Sequence, residues 1–378
     1  MELEPLLQLI LDKSGSDLFI SEGRPPGIKV HGKIHNVGKA NLSSKDTSEL
    51  AMSTMEEWQQ HEFRRIKELN YAIVSNNGGR FRVNAYFQRG CIGMVLRRIP
   101  TEIPTPEELK LPEVLKELCM AKRGIIIFVG GTGTGKSTSL ASLIGYRNEK
   151  GNGHIITIED PIEFVHEHKG CIITQRELGI DTLSWENALH STLRQAPDVI
   201  LIGEIRARET MEHAIAFSET GHLVFATLHA NNANQALDRI INFFPSDRRD
   251  QLLLDLSLNL RSFVAQQLVP TKDGKGRRAA VEVLINSPFI SDLIKKGSVH
   301  EIKEIMSKSR ELGMQTFDQA LYQLYDKGEI SYEDALAHAD SKNDLRLMIK
   351  LQSAQSDGMD DAASGLSIEG DKKKTTLY

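Results

Sequence analysis

Residues 124–138 read GIIIFVGGTGTGKST. Gly124 to Val129 form a short, continuous apolar run, which suits an inner strand of a sheet covered on both faces. Gly130, Gly135, Lys136 and Ser137 then satisfy G-x-x-x-x-G-K-[ST]. Glycines let such a loop turn its backbone N–H groups inward, where they cradle phosphate oxygens. The stretch STSLASLIGYRN that follows reads as a helix, whose positive N-terminal end favours the same anion. The expected cradle is Gly131, Thr132, Gly133, Thr134, Gly135, Lys136, Ser137 and Thr138. Lys136 is expected at the β- and γ-phosphates of ATP and the Ser137 hydroxyl on Mg²⁺. A ligand-free glycine turn of this form arises by chance with a probability on the order of a few per cent in a chain this long. The strand before it and the helix after it favour the nucleotide.

Outward from this loop the pattern repeats. HIITI (154–158), VILIGEI (199–205) and HLVFATL (222–228) are further apolar runs separated by helical stretches. Alternation of this kind predicts βαβ units and a mostly parallel sheet, a P-loop core over 114–287. Residues 288–355 read as a helical C-terminal part. Residues 356–378 are small and polar, a composition expected to be disordered. Upstream, IPTEIPTPEELKLPE (99–113) carries Pro100, Pro104, Pro106 and Pro112. It is expected to be a semi-rigid linker, since neither a long helix nor an inner strand tolerates that many prolines.

Residues 1–98 are expected to form a separate α+β domain. A short amphipathic helix (Leu6, Leu7, Leu9, Ile10) leads to SDLFIS, a strand, and to IKVHGKI, a hairpin turning at His31-Gly32. One helical stretch is expected from Ser44 to Glu68. Phe81, Val83, Ala85 and Phe87 then alternate with Arg82, Asn84 and Tyr86, the period of a half-buried strand. Gln88-Arg89-Gly90 is the expected turn into its partner.

The composition bounds the rest. The chain has 378 residues, 40 % hydrophobic and 26 % charged, with a net charge of −5. These values suit a soluble globular protein and give no electrostatic case for gripping nucleic acid. No apolar run approaches the eighteen or so residues that span a bilayer. The N-terminus lacks the basic-then-apolar pattern of a secretory signal, so a cytoplasmic location is expected. Cys91, Cys119 and Cys171 lie far apart, forming neither a disulfide framework nor a CxxC metal pair.

Phosphoryl transfer to water needs an oriented water and a held metal. HIITIEDPIEF ends in Glu159, Asp160 and Glu163, acids placed just past a parallel strand, on the rim where such sheets bind ligands. A solvated acidic loop is the plain alternative. DVILIGEIR ends a buried run in Gly203 and Glu204, where P-loop enzymes place a metal-side carboxylate. His222 and His229 flank the last run and are not spaced as a metal pair on one helix. Arg82, Arg97 and Arg98 could neutralise phosphoryl charge or be solvated surface charges; the residues alone leave them undecided.

Taken in order, GGTGTGKST, TIEDPIEF, DVILIGEIR and TGHLVFATLHAN resemble the phosphate loop, aspartate box, Walker B and histidine box of the secretion-type ATPase superfamily. Within it the chain is similar to the type IV pilus retraction ATPases. The resemblance runs from residue 16 to about 345. It implies a PAS-like N-terminal domain, a RecA-like ATPase domain and a hexameric ring. It implies that Glu163 is the base that activates water, Glu204 the Walker B acid on the metal side with Ser137, and His229 part of the site. It also implies that Arg97 reaches nucleotide from the N-terminal domain. Extension motors of the superfamily carry a four-cysteine zinc motif, which this sequence lacks. NSPFISDLIKKG (286–297) keeps the apolar positions Ile290, Leu293 and Ile294 of the AIRNLIRE-like motif of the main retraction motors, but not its charged and small ones. Ala207 stands where those motors usually have Asp. These departures resemble the accessory retraction branch. The implied partners are other copies of the chain, the principal retraction ATPase PilT and the inner-membrane platform protein PilC. The implied place is the cytoplasmic face of the inner membrane at the pilus base, with no direct insertion. A mainly structural ring that supports the principal motor is the alternative from another class. A RecA-like DNA motor fits the phosphate loop but not the acidic balance.

Overall fold

A computed structural model describes residues 2–30, 32–100 and 102–351. The expected disordered tail lies outside the described residues, as does His31 of the expected hairpin turn. Among the described residues no helix is long and apolar enough to cross a membrane.

The N-terminal part runs α1 (Glu4–Asp12), β1 (Asp17–Ile20), β2 (Gly27–Val30), β3 (Lys33–Asn36), α2 (Ser44–Ser53), α3 (Glu57–Ile66), β4 (Glu68–Val74), β5 (Arg80–Gln88) and β6 (Cys91–Ile99). Its six strands form one antiparallel sheet in the order β3-β2-β1-β6-β5-β4. Alternation places Phe81, Val83 and Ala85 of β5 on the buried side with Met94 and Leu96 of β6. Leu6, Leu7 and Ile10 of α1 and Leu50 and Ala51 of α2 join the same core. Gln88 pairs with Cys91, so β5 and β6 close through Arg89-Gly90, both at positive φ, the backbone of a two-residue hairpin turn.

The single helix expected over Ser44–Glu68 is instead two helices and the start of a strand. Ser43 caps α2 in a reciprocal box with Asp46, and Glu56 opens α3 with Gln59. Lys67 then turns left-handed at φ 71° and ends α3. The chain re-enters as β4, where Leu69, Tyr71 and Ile73 share one face. Helix-favouring residues thus yielded to capping chemistry and to a two-residue period over Glu68–Val74.

The remaining elements are α4 (Val114–Cys119), β7 (Gly124–Val129), α5 (Lys136–Lys150), β8 (Gly153–Glu159), β9 (Cys171–Glu177), α6 (Trp185–Thr192), β10 (Val199–Ile202), α7 (Arg208–Glu219), β11 (Leu223–Leu228), α8 (Ala233–Phe243), α9 (Arg249–Asn259), β12 (Leu260–Pro270), β13 (Arg277–Ile285), α10 (Pro288–Lys296), α11 (Val299–Lys308), α12 (Phe317–Asp326) and α13 (Tyr332–His338). Neither helix nor strand forms among the described linker residues 102–113. The second sheet has the order β13-β12-β7-β11-β10-β8-β9. Strands β11, β10, β8 and β9 pair in parallel, and β12 pairs antiparallel with β13. Every residue of β7, β10 and β11 is buried, as their unbroken apolar runs predict. The fold is the expected α/β arrangement: an antiparallel N-terminal sheet, a mostly parallel second sheet and a helical C-terminal part.

Candidate functional site

The phosphate loop spans the gap between β7 and α5. Gly133 and Gly135 take φ of 78° and 86°, in the left-handed region that glycine enters without strain. A side chain at Gly135 would also meet Gln266 Nε2 at 2.7 Å. That amide donates to the Thr134 carbonyl at 2.9 Å and so fastens the loop to β12. Lys136 is buried, and its Nζ donates to the carbonyls of Gly130 and Gly131, each at 2.7 Å. The ammonium is therefore held across the loop, at the first turn of a fifteen-residue helix. A cation, left-handed glycines and a helix N-terminus at one place fit a triphosphate. Thr132 and Gly131 are exposed at the tip, while Ser137 and Thr138 start α5.

His229 follows β11 directly. An open groove of about 670 Å³ is lined by His229, Asn231, Asp238 and Arg239 together with Gly131 of the phosphate loop. The histidine box thus meets the phosphate loop.

The two acid stretches leave β8 and β10, neighbouring parallel strands, so both lie at the carboxyl edge of the sheet. Strand β10 stops at Ile202, earlier than its apolar run suggests. Gly203 follows because a Cβ there would approach the Ile158 carbonyl at 3.0 Å and Glu159 Cα at 3.1 Å. This close passage brings Glu204 beside the aspartate-box loop. Arg206 joins the two stretches. Its Nε donates to Glu204 Oε2 at 2.7 Å, and its Nη1 lies 3.9 Å from Asp160 Oδ2. The Glu204 side chain is 15 % exposed. Glu163 is exposed at the end of its loop.

That loop is clamped from below. Gln175 of β9 donates to the Phe164 carbonyl at 2.9 Å and accepts from the His166 N–H at 2.8 Å. The carboxyl of Glu159 accepts from the Thr157 hydroxyl at 2.6 Å, from Gln175 and from the backbone N–H of Glu163. Burial pushes its pKa up to about 7, with the nearby Glu163 charge adding to the rise. Burial likewise raises that of Glu177, whose carboxylate accepts from the Ile162 N–H at 3.3 Å and feels Arg80 and Arg82. The peptide bond between Asp160 and Pro161 is cis.

Arg97 stands on β6 of the N-terminal sheet. Its Nε donates to Asp17 Oδ1 at 2.9 Å, and 71 % of its side chain is exposed. His222 bonds its own neighbourhood, the Phe217 carbonyl and the Thr220 hydroxyl, both at 3.0 Å. Two residues that sequence reasoning passed over now matter, Arg206 and Gln266, and Glu159, read from the sequence as one of the rim acids, is held beneath the loop by Thr157 and Gln175. Arg206 was legible as the last letter of GEIR. Gln266 had no local signal, because it lies on β12, some 130 residues from the loop it holds.

Among the described residues no three His, Cys, Asp or Glu side chains cluster as a ready-made metal site. Mg²⁺ does not require one, since it is commonly held by one or two protein groups and the substrate's phosphates. Ser137 and Glu204 fit that role by chemistry.

The chain is similar to known proteins. A family model described as "Type II/IV secretion system protein" matches residues 105–340. The chain is 64 % identical to "Type IV pilus ATPase PilU" of Pseudomonas aeruginosa over 98 % of its length and 97 % of that protein. It is 41 % identical to "Type IV pilus retractation ATPase PilT" of the same organism over 89 % of this chain and 97 % of the relative. Its fold matches a crystal structure of "the Pilus Retraction Motor PilT and Bound ADP" with a TM-score of 0.86 at 38 % identity, covering 92 % of this chain and 99 % of the other. The Legionella pneumophila ATPase DotB matches at 0.72 and 28 %, covering 88 % and 94 %. The chain therefore belongs to the type II/IV secretion system protein family and, within it, to the type IV pilus ATPases.

Proposed function

We propose that this pilus ATPase works as a homohexameric ring that hydrolyses ATP to drive type IV pilus retraction, alongside a principal retraction ATPase of the PilT kind. The observation that carries the hydrolytic part is the pair of acid loops at one sheet edge, joined by Arg206. The similarity to PilU and PilT supports the pilus part.

The reaction is ATP + H₂O → ADP + phosphate, without a covalent enzyme intermediate. Glu163 accepts the proton of the attacking water and orients its oxygen at the γ-phosphorus. Lys136 and the loop N–H groups hold the β- and γ-phosphates and stabilise charge as the bond to the leaving ADP oxygen breaks. Ser137 and, on the Glu204 side, a carboxylate would hold Mg²⁺, which when bound would neutralise phosphate charge. Arg206 keeps Glu204 and Asp160 together. His229 reads the phosphate from beside Gly131, and Arg97 reaches nucleotide from the N-terminal sheet.

A nucleotide site completed by a neighbouring copy gives a head-to-tail interface, which must close into a ring or grow into a filament. In the ring reading, linker 99–113 is the hinge that turns nucleotide state into a mechanical step, passed to the platform protein PilC at the cytoplasmic face of the inner membrane. A mainly structural accessory ring is the second reading. It is favoured by α10, where FISDLIKK exposes Phe289 and ends in Lys295 and Lys296.

Cells carrying Lys136→Ala or Glu204→Ala separate the two. Retraction under load is expected to fall in both. If loaded retraction matches the unaltered strain in both, the chain does not supply force and the accessory reading stands.

A further inference from the structure

A second cavity, of about 420 Å³, lies along the far half of α5, under linker residues 103–107 and beside loop residues 165–169. Three features mark it as built to hold something. The Ser142 side chain is 2 % exposed, and its hydroxyl has no hydrogen-bond partner. A serine inside a helix ordinarily returns its hydroxyl to a carbonyl one turn back. Gly145, one turn further on, sits inside the same helix, where glycine destabilises relative to alanine. No packing contact demands it, because a Cβ there would meet nothing within 4 Å. It would only narrow the cavity. The third feature is the His166 imidazole, on a loop whose His166 backbone N–H donates to Gln175. Burial, with Lys169 adding to it, lowers its pKa to about 4, so the neutral ring offers one N–H and one lone pair.

The rest of the lining defines the ligand. Pro104, Pro106 and the Tyr146 ring supply apolar faces. At the mouth, Glu107 pairs with Lys116 at 2.7 Å and Glu149 pairs with Lys169. Glu167 and Lys150 complete the rim. With Lys116, which pairs with Glu107, three carboxylates face three lysines, so the mouth has no positive excess to draw a phosphate.

We propose that this cavity is a second ligand site that takes an uncharged, nucleoside-sized heterocycle. Its volume falls in the range of small-molecule sites. The heterocycle's flat face meets Tyr146 and the prolines, its polar edge meets Ser142 and His166, and its hydroxyls meet the rim carboxylates. The site is separate from the phosphate loop: Ser142 lies six residues past Lys136, about 9 Å along the helix at 1.5 Å per residue. Its floor is nonetheless the helix that begins with Lys136, and its roof is the linker. An occupant ties the two together and so tunes the ATPase.

The test uses the full chain with its phosphate loop saturated by Mg-ADP. Adenosine, guanosine and uridine are titrated by calorimetry, with AMP as the charged counterpart. At least one nucleoside is expected to bind, and adenosine at least tenfold more tightly than AMP. Gly145→Leu and Ser142→Val are each expected to weaken binding at least tenfold and to leave the Kd for ADP within twofold. Should Gly145→Leu fail to fold, Gly145→Ala with Ser142→Val decides on the same readings. The proposal is overturned if no nucleoside binds, so that the cavity holds only water. It is equally overturned if binding survives the cavity-filling variants or is displaced by further ADP.

Discussion

Arg206 is the residue on which the two acid stretches depend. It bonds Glu204 directly and lies in ion-pair range of Asp160, so it offsets two carboxylates that would otherwise face each other. By this role it positions other groups and does not meet the reacting atoms. Losing such a supporting partner at a metal-side ligand commonly costs about 10–100-fold. Arg206→Ala is expected to lower ATP turnover by roughly that factor, with ADP affinity changed much less, because Lys136 and the loop remain. Steady-state kinetics alongside ADP binding reads both. Equal loss of turnover and ADP affinity would instead make Arg206 part of the nucleotide cradle. The sequence named Glu163, Glu204 and His229 because acids and histidines after buried strands are conspicuous. It gave no role to Arg206 or Gln266 because their work is to hold other groups, and only the register of β8, β10 and β12 shows whom they hold.

At the scale of elements, Glu282 on β13 does the most with one side chain. It is 2 % exposed, and it accepts from the Ala233 N–H at 2.8 Å and the Phe317 N–H at 3.4 Å. It therefore satisfies the first N–H groups of both α8 and α12, which helices leave without internal partners. Burial pushes its pKa from 4.5 up to about 7. A raised folded-state pKa means stabilisation that is fully present below pH 4.5 and lost as pH rises through 7. A shift of that size corresponds to roughly 3 kcal/mol at most. Thermal stability is thus expected to decline between pH 5 and pH 8, and Glu282→Gln is expected to flatten the decline by about half, since Glu159 titrates in the same window. An unchanged slope in the variant would mean that Glu282 is not the titrating group. Elements were also where legibility varied most. Strands β7, β10 and β11 are all-apolar and could be read directly. Strands β9, β12 and β13 were not read: β12 carries Gln266 and Gln267 in its middle, and β9 lies at the sheet edge with Ile172 62 % exposed. Neither gives a clean buried run, so their strand character comes from pairing with distant neighbours.

For the whole molecule, the proposed function joins three claims: the phosphate loop binds the nucleotide, the acid loops support its hydrolysis, and the likeness to PilU and PilT points to the pilus as the setting. These joined claims meet in one measurement: ATP turnover and particle mass of the purified chain, unaltered and as Glu163→Gln, each with and without the principal retraction ATPase. The account predicts ring-sized particles and turnover that falls by about 10²–10⁴ in Glu163→Gln, with the rings intact. A monomer that shows no turnover in either condition, or turnover indifferent to Glu163→Gln, would contradict it.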